Sequence, residues 1–94
     1  MTTLNKNFLR KHTKDLNTFT VVDITHRKTP IYKVYGKGDL FTAEVVDHGG
    51  WMNITITLWN GNSGITSRFS SEDKTLRQQI LDGLEKSNSE ELPF

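Results

Sequence analysis

Residues Trp51–Trp59 read WMNITITLW, and the fold follows from how that run divides. Successive side chains of a β-strand point to opposite faces. Met52, Ile54, Ile56 and Leu58 form one face, apolar throughout, that belongs against a core. Trp51, Asn53, Thr55, Thr57 and Trp59 form the other, polar in its middle with an indole at each end. Fully extended, the two rings stand about 27 Å apart. Large rings on a polar strand face need a reason, because exposed apolar surface costs solubility. Either a second layer or subunit covers them, or unpaired bases stack on them.

Working outward, Leu40–Asp47 (LFTAEVVD) reads as the preceding strand. His48-Gly49-Gly50 supplies the positive φ angles of a tight hairpin between the two. Further upstream, Phe19–His26 (FTVVDITH) is rich in β-branched residues and reads as a strand. Arg27-Lys28-Thr29-Pro30 closes it, since proline cannot donate to a ladder and the residue before it avoids helix. Ile31–Lys37 (IYKVYGK) sets Lys33, Tyr35 and Lys37 on one face, a ring among cations, and a turn at Gly38-Asp39 follows.

Downstream, Asn60–Gly64 reads as a longer loop and Ile65–Phe69 as a short strand with Arg68 facing out. Ser70 and Asp73 have capping-box spacing ahead of a helix. Leu76, Ile80 and Leu84 fall at four-residue steps, with Leu81 widening the stripe. Gly83 weakens such a helix by about 1 kcal/mol relative to alanine but permits close backbone approach. Ser87-Asn88-Ser89 is expected to end it. Residues 1–17 carry Leu4, Phe8, Leu9 and Leu16 among four cations, which suits a short docked helix or a basic arm equally. The predicted class is α+β: an antiparallel sheet of four to five strands followed by one C-terminal helix. The expected divisions are 1–17 as arm or helix, 18–86 as the domain and 87–94 as an acidic tail.

The 94 residues make one small domain, and with no cysteine it has neither disulfides nor thiolate metal sites. A thin core makes dimerisation a ready source of further buried surface. No apolar run suits a membrane span, and MTTLNKNFLRKHTK lacks the apolar centre of a signal peptide, so an intracellular protein is expected. The net charge of +1 conceals an asymmetry. Residues 1–38 hold eight Lys or Arg against two acids, and residues 39–94 hold four against nine. A basic front half points to an anionic partner.

Catalysis is not expected. His12, His26 and His48 sit in unrelated segments with no metal-ligand spacing, and no glycine loop leads into a helix to cradle phosphate. No cofactor or metal is called for.

The run YKVYGKGDLFTAEVVDHGGWMNITITLW followed by NGNSGITSRFSSEDKTLRQQILDGLEK resembles the single-stranded-DNA-binding domain of the transcriptional coactivator positive cofactor four and its phage-encoded homologues. The likeness spans about residues 31–86. It rests on Trp59 closing a long strand, on Gly64-Ile65-Thr66 opening the next, and on the helix bearing Leu76 and Ile80. It implies a homodimer of curved sheets with helices at the two-fold interface. It also implies DNA contacts at Trp59, Lys37 and Arg68, with Lys33 and Phe41 beside them. The chain departs from the family at His48, where a ring is usual and Trp51 substitutes, and in the added strand before residue 31.

Glu90-Glu91-Leu92-Pro93-Phe94 resembles the acidic tip of bacterial single-stranded DNA-binding proteins, which docks into basic pockets on replication and repair enzymes. The two likenesses belong to unrelated folds and imply the same ligand. The expectation is a sequence-independent single-stranded DNA-binding homodimer acting in replication, recombination or transcription, in a host cytoplasm if viral. Trp51, Trp59 and Tyr35 would meet bases, while Arg27, Lys28, Lys33, Lys37 and Arg68 would neutralise phosphates. The tail would recruit replication or recombination proteins. The alternative is a protein-interaction module, such as a phage inhibitor of a host enzyme, with the tryptophans at the centre of its interface.

Overall fold

Strands β1 (Phe19–Asp23), β2 (Ile31–Gly36), β3 (Phe41–Asp47), β4 (Met52–Asn60) and β5 (Ser63–Ser71) form one antiparallel sheet in sequence order. Helix α1 (Lys6–His12) precedes them and α2 (Lys74–Glu90) follows. This computed structural model describes residues 4–90, apart from the side chains of Asp39, Ser89 and Glu90. The α+β class and C-terminal helix are as the residue pattern predicts. Glu91, Leu92, Pro93 and Phe94, with the side chain of Glu90, lie outside the described residues, and so does the expectation of a docking tip. Among the described residues no helix is long and apolar enough to cross a membrane.

The alternation of β4 sorts as expected. Met52, Ile54 and Ile56 are buried beside Ala43 and Val45 of β3 and Val34 of β2. Both helices pack on this face. Leu76 and Ile80 of α2 are sealed in the core, and Gly83 brings the helix onto β1. A Cβ at Gly83 would collide with the Phe19 ring, its Cζ 2.7 Å away, so close approach outweighs the lost helix propensity. Residues 4–17 resolve in favour of docking. Asn5 caps α1 by accepting from the Asn7 and Phe8 amides, Leu9 is fully buried, and Arg10 reaches Asp73 at 3.3 Å.

Several boundaries differ from expectation for local reasons. β1 stops at Asp23 because its carboxylate accepts from the Thr25 amide and hydroxyl, turning the chain. Asn60 pairs with Ser63, so the expected loop is a two-residue turn and β5 runs nine residues. Ser70 stays in β5, donating to Asn53. The helix cap is Asp73, whose carboxylate accepts from the Leu76 amide at 3.1 Å while its own amide donates to Ser71. α2 does not end at Ser87-Asn88-Ser89. Ser87 is buried, accepting from the Val21 amide at 3.3 Å, and the helix continues to Glu90.

The Leu76 amide holds the Asp73 carboxyl below the usual carboxylate range; burial opposes this, and the Arg10 guanidinium reinforces it. A depressed folded pKa contributes stability that is present above the unfolded value, near 4, and is lost as pH falls through the folded one. Asp73→Ala is expected to cost about 0.5–2 kcal/mol at neutral pH. Denaturant titrations should show this deficit shrinking as the wild type is acidified below about pH 4.

Candidate nucleic-acid interface

Among the described residues neither helix touches the opposite face of the sheet, so its chemistry is set by strand parity and register. One row across it runs Thr20, Tyr35, Thr42, Thr57 and Thr66, and the next runs Val22, Lys33, Glu44, Thr55 and Arg68. Trp59 lies beside the threonine row, 42% exposed, and its indole N–H donates to the Thr42 hydroxyl at 3.1 Å. Opposite it on β5 stands Gly64. A Cβ there would sit 2.8 Å from the Thr57 methyl and 3.2 Å from the indole, so the glycine is what lets the ring lie flat across the strands. The Thr57 and Thr66 hydroxyls bond each other at 3.0 Å beneath it.

Trp59, Thr42 and Tyr35 border an open depression of about 600 Å³ completed by Leu40 and the Gly61 turn. Tyr35 is 43% exposed. Lys37, exposed in the 3-10 turn Lys37–Asp39, follows it two residues on in the chain. Two flat rings and an aliphatic side chain are what a stacked base requires, and a cation close by in the chain suits its phosphate.

At the far end of β4 is a second aromatic unit. Trp51 just precedes the strand and stacks on His48, with centroids 4.2 Å apart and planes inclined 19°. The Asn53 amide meets His48 Nε2 at 3.3 Å, which places this stack at the edge of the same face. Lys28, from the β1–β2 loop, lines a depression with His48 beside it, and Arg27 is exposed in the same loop. Arg77 joins that end but is held by Asp47 at 3.0 Å.

Most of the expected residues therefore gather on one surface: Lys33, Tyr35, Trp59 and Arg68 along the face, Lys37 exposed in the turn after β2, and Trp51, Lys28 and Arg27 at one end. Phe41 is a correction. It is 1% exposed, on the core face, with its ring against Phe8 at 5.8 Å and His12 at 5.5 Å. It cannot meet a base. The signal was available in the residues, since Phe41 shares parity with Ala43 and Val45 rather than with Thr42 and Glu44. Burial, seconded by Lys11, holds the neighbouring His12 imidazole below its usual pKa.

Sequence reading missed three parts of the site: Thr42 as the group that orients Trp59, Leu40 as a wall, and Glu44 between Lys33 and Arg68. None carries a motif, and each becomes visible only through register. Among the described residues, no three His, Asp or Glu side chains come together in a metal-holding group. Compared with known proteins, the chain matches no family model, and no curated protein or solved structure matches it either.

Proposed function

We propose that this chain binds single-stranded DNA with little sequence preference, laying unpaired bases over the uncovered sheet face. One observation carries the reading. Trp59 and Tyr35 present their rings beside an open depression on a polar, helix-free surface whose next row carries Lys33 and Arg68, with Lys37 exposed in the turn that follows β2. Stacking on rings is indifferent to sequence because every base has a π-face, and the cations supply phosphate neutralisation. The resemblance of residues 31–86 to the positive cofactor four domain supports the same ligand. It also leaves replication, recombination and transcription open as settings.

Titration with oligo-dT tests this. Binding is expected to quench tryptophan fluorescence, and log affinity should fall linearly with log salt at roughly 0.7 per phosphate contacted. Competition by duplex DNA should be weak, because a paired base cannot enter the depression. Unquenched fluorescence together with no salt-sensitive binding would defeat the reading.

A further inference from the structure

The two edges of the sheet are treated differently. At the β1 edge Ser87 of α2 accepts from the outward Val21 amide, so a helix shields the strand. β5 is nine residues long with a single charged side chain, Arg68, and among the described residues nothing bonds to its outer side. Edge strands are ordinarily short, charged or covered, since a bare one is a template for pairing. Ile65, near its start, is 68% exposed, the most exposed large apolar side chain among the described residues.

Hydrogen-bond parity identifies which groups are unpaired. Trp59 donates to Leu40 and His48 to Trp51, so odd-numbered β4 residues bond β3 and even-numbered ones bond β5. Their β5 partners are Ile65, Ser67, Phe69 and Ser71. The main-chain groups of Gly64, Thr66, Arg68 and Ser70 therefore point outward.

We infer that β5 pairs antiparallel with β5 of a second copy about a two-fold axis at Ser67, making a ten-stranded sheet. Parity restricts the choice of register. Centring on Arg68 would oppose two guanidinium groups, which is repulsive. Centring on Thr66 would leave Ser70 and Ser71 without partners. Centring on Ser67 pairs all nine residues, bonds Gly64 with Ser70 and Thr66 with Arg68 across the axis, and sets Ile65 against Phe69 of the second copy. Roughly eight backbone hydrogen bonds result.

The pairing also alters the aromatic geometry. Trp51 and Trp59 of one chain stand about 27 Å apart, but Trp51 and the Trp59 of the second copy would be three strand spacings apart, about 14 Å, and about 7 Å along the strands. Each composite track would take one aromatic unit from each copy. The use of that track for bases rests on the reading above, whereas the pairing itself does not.

Cysteine scanning in this cysteine-free chain tests the register. Antiparallel residues opposed without hydrogen bonds have Cα atoms about 4.5 Å apart, within disulfide range. Ser67→Cys is expected to give near-complete disulfide dimer on mild oxidation. Ile65→Cys, about 13 Å from its symmetry mate, should give almost none. Sedimentation of the unmodified chain should return twice the 10.8 kDa monomer mass at micromolar concentration. A monomer, whether alone or with a foreign strand seated on β5, overturns the inference, and so does equal cross-linking at both positions. A cross-linked dimer that ignores oligo-dT would instead defeat only the nucleic-acid reading.

Discussion

Trp59→Ala is expected to weaken oligo-dT binding by about 1–3 kcal/mol, a loss of roughly 5- to 150-fold, while leaving the fold intact. The expectation rests on how the ring is held. Its N–H is already bonded to Thr42, and Gly64 leaves room for it to lie across the strands, so little side-chain entropy remains to be lost when a base arrives. With 42% of the residue exposed and no helix over it, truncation removes little of the core. Thermal stability should change by less than about 1 kcal/mol, as for other surface positions. Trp59→Phe should recover part of the affinity, since it keeps a stacking face and loses the bond to Thr42. Fluorescence anisotropy with labelled oligo-dT reads both variants. Unchanged affinity in Trp59→Ala would remove this ring from the site.

Phe41→Ala is expected to do the reverse. Truncating a fully buried phenylalanine costs about 3–5 kcal/mol, a large share of the roughly 5–15 kcal/mol that holds a typical domain together. The ring underlies α1 through Phe8 and His12 and fills the space that Gly36 leaves on β2, so its loss loosens three elements at once. At roughly 4–8 °C per kcal/mol in a domain of this size, the melting temperature should fall by more than 10 °C. Below that temperature the folded fraction should bind oligo-dT about as tightly as the wild type. The resemblance that places Phe41 at the DNA predicts the opposite pattern, an intact fold with weakened binding. Calorimetry and the anisotropy titration on the same sample separate the two.

The pair also shows how much of the site could be read in advance. Trp59 and Tyr35 were legible because each sits in a strand whose alternation is unambiguous: Ile54 and Ile56 declare the inner face of β4, and Val34 that of β2. Phe41 follows Leu40, and two adjacent apolar residues at a strand's start leave the phase to be settled further along, by Ala43 and Val45. α1 was undecidable locally. Seven residues do not sustain a helix in water, so its existence depends on Leu9 entering a core built by residues far along the chain. The same applies to the far end of α2, where Ser87 reads as a helix breaker until the Val21 amide gives it a partner.

By itself the sequence determined the class of the fold, the two faces of β2 and β4 and the hairpin at His48-Gly49-Gly50, because side-chain parity and turn chemistry are properties of a few consecutive residues. Only the tertiary structure decided which side chains became neighbours. Thr42 beside Trp59, Glu44 between Lys33 and Arg68, Arg10 on Asp73 and the bare outer side of β5 all follow from register and strand order. Those depend on how every strand and helix packs at once, and no local stretch encodes them.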